Sequence, residues 1–266
     1  MEYLSEPKVR IVTRTAVNWD ELSAFLEDED LPPIPDSIRA GTDESAAVVE
    51  ISARLCYMSF GRGRRDIADF INNLLSSKDG SVLEHVNYGF VITGISRSLT
   101  HELVRHRAGF AYSQRSQRYV NESDCSFVLP PALISNNIKF ASIRKKLEKT
   151  LRAASANYDA LVNDLESVVP AELFESKTDW RKAIRQAARS VLPNATETKI
   201  CVTGNVRSWR HFIEMRAASF ADWEIRRLAI NILQHLQHES PLLFGDFSIE
   251  DLRDGTRIAT PLYSKV

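Results

Sequence analysis

Apolar residues recur every three or four positions through Phe140, Ile143, Leu147, Leu151, Ala154, Tyr158, Leu161 and Leu165. That spacing predicts a long amphipathic helix that stops before Pro170. Ile67, Phe70, Ile71, Leu74 and Leu75 repeat the pattern and predict a helix over Arg64–Ser76. Ile225, Leu228, Ala229, Ile232, Leu233 and Leu236 predict another, capped by Asp222 and stopped by Pro241. Shorter helices are expected over Ala46–Cys56, Asp179–Val191 and Ser208–Arg216, the last with Trp209, Phe212 and Ile213 as its apolar face. Period-two alternation predicts strands at Lys8–Thr15, at Val86 through Thr93, and at Thr196 through Val202, where Gly204-Asn205 turns the chain. Ser98 is expected to cap a helix reaching about Arg107, which would put Glu102, Arg105 and His106 on one face. Ser81-Val82-Leu83-Glu84 has the form of a capping box. Phe127–Pro131 reads as a short extended piece, and the tail beyond Pro241 as short strand or coil. The acidic, proline-bearing span Asp28–Glu44 reads as a surface loop.

With 266 residues, 44% of them hydrophobic, and no linker or repeat, the chain is expected to form a single domain, 1–266. A net charge of −1 argues against a general nucleic-acid binder. Cys56, Cys125 and Cys201 are far apart and odd in number, so neither a disulfide framework nor a Cys-x-x-Cys metal site is expected. No basic leader precedes an apolar run, and no stretch of ~18 apolar residues exists. A soluble, cytoplasmic protein with no membrane partner is the expectation.

Chemistry concentrates in Arg105–Tyr119, where four arginines, one histidine, two serines and two glutamines fall within fifteen residues. Guanidinium forks match phosphate and carboxylate geometry. Ser116, Gln114 and Gln117 offer neutral donors and acceptors, and Phe110, Tyr112 and Tyr119 offer flat faces. The inventory suits a nucleotide or dinucleotide; a solvated basic loop is the plain alternative. His101 and His106 are five apart, not the four of a zinc-protease helix, so no metal is expected. No G-x-G-x-x-G follows a strand, no cysteine sits beside a basic cluster, and Ser116 has no histidine at fixed spacing. Catalysis by positioning and electrostatics around a cofactor is the class that remains.

Arg105-His106-Arg107, a spacer, then Ser116-Gln117-Arg118-Tyr119 resembles the signature of the flavin-dependent thymidylate synthases, the ThyX family. The resemblance extends through Ser81–His85, Gly94–Tyr119, Gln186–Trp209 and His211–Arg227. Two departures stand out. The spacer has eight residues where the family usually has seven, and Lys78-Asp79-Gly80 occupies a turn where relatives often carry a histidine.

The resemblance implies an α+β fold with a twisted, mainly antiparallel sheet and long helices, assembled as a homotetramer with shared active sites. It implies FAD as cofactor, with NADPH and 5,10-methylenetetrahydrofolate as cosubstrates, for reductive methylation of uridylate at C5. FAD contacts are implied for Ser81, Arg105, His106, Arg107 and Gln114, and for Asn205, Arg207 and His211. Uridylate contacts are implied for Glu102, Arg105, Gln114, Arg115 and Ser116, and for Gln117, Arg118, Arg189 and Arg216. Arg115 stands where the family usually has an apolar residue. Arg216 matches the family's activating, catalytic arginine; a surface pairing with Glu214 or Glu224 is the plain alternative. Arg181 and Arg185, on the stripe with Arg189, are read as solvent-facing. Related enzymes of nucleoside-antibiotic (polyoxin-type) biosynthesis methylate the ribonucleotide, so the longer spacer raises UMP beside dUMP as substrate. A flavin- or nucleotide-binding module without turnover, and an RNA-binding protein using the arginine loop, are the rival classes.

Overall fold

The computed structural model describes residues 1–34, 43–134, 138–253 and 255–266. Along the chain run β1 (Tyr3–Leu4), β2 (Lys8–Arg14), α1 (Trp19–Asp28), α2 (Glu44–Cys56), α3 (Ile67–Ser76), a 3₁₀ turn at Gly80–His85 and β3 (Asn87–Ser96). Then come α4 (Arg97–Leu103), β4 (Phe110–Gln114), β5 (Phe127–Val128), α5 (Ile138–Val168), α6 (Lys177–Ala188) and β6 (Glu197–Asn205). α7 (Val206–Arg216), α8 (Trp223–Glu239), α9 (Pro241–Phe244), β7 (Phe247–Asp251) and β8 (Arg257–Pro261) complete the order. The mixture is α+β, with a four-stranded sheet in the order β2-β3-β6-β4. No described helix is long and apolar enough to cross a membrane.

The long periodic segments fold as their patterns require. α5 and α8 match the expected helices, and Asp222 caps α8 by accepting from the Glu224 amide at 2.8 Å. Other boundaries move, each for a local reason. Asp28 belongs to α1, a helix the acidic composition concealed, which Asn18 caps through the Glu21 amide. Asp43 caps α2, which begins at Glu44, two residues before the expected start, and 35–42 of the expected loop lie outside the described residues. Ser81 does not cap a helix. Its hydroxyl donates to Asp79 Oδ1 at 3.3 Å, and the turn begins at Gly80 with no side-chain cap. Ser96, not Ser98, caps α4, and that helix ends at Leu103, so Arg105 and His106 follow the helix and do not share its face with Glu102. β6 continues through Gly204 to Asn205, whose side chain caps α7 instead of turning the chain away. The tail is ordered as α9 followed by the β7–β8 antiparallel hairpin.

Two compact units share these elements. Unit one comprises Met1–Lys8, Ile92–Arg105 and Ser113–Cys201; unit two comprises Val9–Val91, His106–Tyr112 and Val202–Val266. In unit one, β1 pairs in parallel with β5, and Tyr158 and Val162 of α5 bury against Ile184 and Ala188 of α6. In unit two, the fully buried Tyr88, Phe90, Trp209 and Phe212 form an aromatic centre, and Trp209 meets Phe90 and Phe110 edge-on at 5.0 and 4.8 Å. Gly204 is required there, because a Cβ would lie 2.4 Å from the Phe110 ring. The indole N–H of Trp209 donates to the Tyr88 carbonyl at 3.2 Å.

Unit two also buries an ion pair. Arg210, 4% exposed, donates to both oxygens of Asp246 at 2.6 and 2.8 Å and to the Tyr263 carbonyl at 3.1 Å. Removing one partner strands the other charge out of water. Arg210→Met should therefore lower unfolding stability by about 3–5 kcal/mol, read from chemical denaturation. Arg210→Met combined with Asp246→Leu should recover part of that loss.

Candidate functional site

The Arg105-His106-Arg107 run follows α4 and leads to β4. In unit two the next turn is caught by α7. Ser208 Oγ donates to the Ala108 carbonyl at 2.8 Å, and the Asn205 amide donates to the Gly109 carbonyl at 3.2 Å. Gly109 has φ +72°, and a Cβ there would lie 2.1 Å from Ser208 Oγ, so only glycine fits unstrained. This capture holds His106 beside the far end of α7. Arg216 Nε donates to His106 Nε2 at 2.9 Å, joining residues 110 apart in sequence. The His106 ring lies edge-on to Phe212 at 5.2 Å and to His211 at 6.1 Å, and the Tyr112 hydroxyl donates to the His106 carbonyl.

Burial, then the Arg216 charge, then His211 push the His106 pKa down to about 4. The imidazole is therefore neutral at physiological pH. Since Nε2 accepts from Arg216, the ring proton resides on Nδ1.

The same unit holds five other expected cofactor residues, Ser81, Arg107, Asn205, Arg207 and His211. Arg207 Nη1 donates to Glu84 at 2.7 Å and its Nε to the Val266 carbonyl at 3.2 Å, which brings the Ser81-bearing turn onto α7. Arg107 and His211 are exposed. Asn205 is occupied structurally, its Oδ1 accepting from the Ser208 amide at 2.8 Å.

In unit one, the signature's second half runs on from the end of β4. Gln114 Nε2 donates to Thr100 and Thr198 hydroxyls, each at 3.2 Å. Ser116 Oγ accepts from the Arg118 amide at 3.2 Å. Gln117 is buried, 7% exposed, and its Nε2 has no partner, so a donor waits in the protein for an acceptor. Arg118 is exposed, Glu102 is half-buried, and Arg105, the last residue of this unit, is exposed. Arg115 lies against Glu122 and Glu197 at 3.1 and 3.4 Å. Arg189, half-buried, opens the turn after α6.

Arg97 is a functional candidate that patterning missed. Its burial and the nearby Arg189 and Arg115 charges oppose its ionisation, while Glu122 favours it; the balance holds its pKa below the usual value. Three guanidiniums thus share one neighbourhood with the Glu122 carboxylate, and Arg115 is already paired there with Glu122 and Glu197. A sequence signal existed: Arg97 is the first residue of α4, the end of a helix where a cation is unfavourable. Arg185, read as solvent-facing, also does more, together with its neighbour Lys182. Arg185 donates to the Tyr119 carbonyl, and Lys182 lies 4.8 Å from the Tyr119 ring centre, so α6 holds the signature's end.

The family model described as thymidylate synthase complementing protein matches residues 38–242. The chain is 45% identical over 239 residues to the flavin-dependent thymidylate synthase of Mycobacterium tuberculosis strain H37Rv, covering 89% of this chain and 91% of that protein. It is 48% identical over 223 residues to that of Mycobacteroides abscessus, covering 82% and 85%. It is 46% identical over 239 residues to that of Mycobacterium avium, covering 89% and 91%.

The neutral His106 makes a pH signature. Its ring titrates at about 4 when folded and near 6.5 when exposed, so between these values the unfolded chain binds the extra proton. The stability from the neutral ring is complete above the upper value and is lost as pH falls through the window. Going from about pH 7 to about pH 5 should remove on the order of 1 kcal/mol through this group. Denaturation of His106→Asn should show that part of the pH dependence flattened; a profile parallel to the wild type contradicts the neutral-ring assignment.

Proposed function

Because the chain belongs to the flavin-dependent thymidylate synthase family, we propose that it methylates dUMP at C5 of the uracil ring to give dTMP. Bound FAD, recharged by NADPH, would supply reducing electrons, and methylenetetrahydrofolate the one-carbon unit. The observation that carries the reading is the hydrogen bond from Arg216 to the signature histidine.

The donor chemistry of unit two fits a flavin dinucleotide. Arg107 and His211 are exposed. Arg207 is tied to Glu84 by a pair whose side chains are 44% and 50% exposed, which a phosphate can replace at little cost. Ser81, His106 and Asn205 complete the proposed FAD set of unit two; Arg105 and Gln114, in unit one, are proposed flavin contacts as well. The Cys125 thiol is a poor candidate for attack on the ring, since burial pushes it up to about 11.

Uracil C5 is a weak nucleophile until negative charge builds along N3 and the carbonyl oxygens. A guanidinium fixed against that edge stabilises the charge where it develops. His106, kept neutral, accepts from Arg216 Nε without competing for charge, and so sets the plane of the fork. Arg97 and Arg189 are proposed to take the phosphate, with Glu102, Ser116, Gln117 and Arg118 gripping the rest of the nucleotide. Gln117 Nε2 is the buried donor such a ligand would satisfy.

The reading takes dUMP as substrate. An extra residue inside β4 would flip every later side chain, whereas the turn at Ala108-Gly109 can absorb it. A homotetramer is proposed as well; Val168 and Leu173, 71% and 74% exposed, fit burial against another copy.

Arg216→Ala should lower dTMP formation from dUMP, methylenetetrahydrofolate and NADPH by roughly two to three orders of magnitude. Its flavin absorbance should stay near the wild-type level; wild-type turnover would remove Arg216 from the mechanism. Tritium release from C5-labelled dUMP should greatly exceed release from labelled UMP, and equal release would contradict the choice of substrate.

A further inference from the structure

Arg115 sits inside the signature stretch, directly before Ser116, and its charge faces inward rather than to solvent. Its Nη2 lies 3.1 Å from Glu122 Oε2, 2.9 Å from the Glu197 carbonyl and 3.4 Å from Glu197 Oε2. Both carboxylate side chains are almost fully buried, at 2% and 6% exposure. Glu197 is itself placed, because its Oε1 accepts from the Gly94 amide at 3.1 Å.

The consequence lies between the two charges. Ser116 through Asn121 form a six-residue loop whose ends are Arg115 and Glu122. One end is fixed to β6 by the Arg115 amide, which donates to the Lys199 carbonyl at 2.9 Å. The other is fixed to α5, where the Glu122 amide donates to the Tyr158 hydroxyl at 3.2 Å. The Arg115–Glu122 pair closes the loop across its base. Inside, Val120 donates back to the Ser116 carbonyl at 3.0 Å. Arg97 Nη2 donates to the Arg115 carbonyl at 3.1 Å, so the closed loop and Arg97 are one bonded assembly.

We propose that Arg115 is a positioning residue: its guanidinium, bridging Glu122 and Glu197, closes the Ser116–Asn121 loop and so presents Ser116, Gln117 and Arg118 to the nucleotide. This rests on the reading that the loop binds dUMP. A bridge between two buried carboxylates also explains why an arginine serves here. A lysine ammonium is a point charge and cannot reach both carboxylates and the Glu197 carbonyl in one plane. With Arg115 removed, Glu122 and Glu197 repel each other across the loop's base.

The test is steady-state kinetics with varied dUMP on the FAD-loaded protein, comparing Arg115→Leu, Arg115→Lys, Glu122→Gln and the Arg115→Leu/Glu122→Gln double variant. Flavin absorbance and the unfolding midpoint of each variant show that it is folded and loaded before its KM is read. Arg115→Leu should raise KM for dUMP about tenfold or more while kcat stays within about threefold, with partial recovery in Arg115→Lys. Glu122→Gln should raise KM similarly, and the double variant should be no worse than the stronger single one. An unchanged KM in Arg115→Leu, or single effects that multiply in the double variant, would overturn loop closure. The second outcome would make Arg115 a direct ligand of the nucleotide. A wild type with no saturable dependence on dUMP would instead sink the nucleotide reading, and this inference with it.

Discussion

A guanidinium does not give up its proton inside a protein, so every arginine drawn in from water must be met by negative charge or carbonyl oxygen. The chain divides its arginines by how that demand is met. Arg54 is answered by Glu50, and Arg210 by Asp246, in pairs that are buried on both sides. Arg115 is answered twice, by Glu122 and Glu197. Arg97, Arg105, Arg118 and Arg189 form no salt bridge with any described residue. The first group holds the fold, and within the last group Arg97 and Arg189 are the two proposed to meet a substrate's phosphate. Arg216 is held differently again, through a neutral imidazole that fixes its direction and leaves its charge uncompensated by that contact.

This division explains why the fold could be read in outline before its site. Segments whose burial follows a period, such as α5 and α8, are dictated by their own sequence. α1 was hidden because its acidic residues resemble a loop, although Asn18 supplies a good cap. β4 was missed although Phe110 and Tyr112 alternate with the small Ala111 and Ser113; the run is five residues long and lies inside the arginine-rich stretch. α4 stops at Leu103 with no breaker in sequence, because the chain just beyond is captured by Asn205 and Ser208. That capture is a tertiary event and leaves no local mark.

The site shows the same limit. The arginine-rich run, Arg189 and Arg216 stand out by resemblance, yet no spacing rule predicts that His106 would accept a hydrogen bond from a residue 110 positions away. Arg97 was legible in principle, as a cation at the wrong end of a helix. Arg115 was visible as a departure, but its meaning required Glu122 and Glu197, which sequence alone does not place beside it.

The central claim is that arginines without carboxylate partners hold a nucleotide by its phosphate. Calorimetric titration of the FAD-loaded protein with dUMP and with deoxyuridine, which lacks that phosphate, tests it most directly. Phosphate anchoring predicts binding about 100-fold tighter for dUMP, with the difference shrinking as salt is raised. Equal affinities for the two ligands would contradict it.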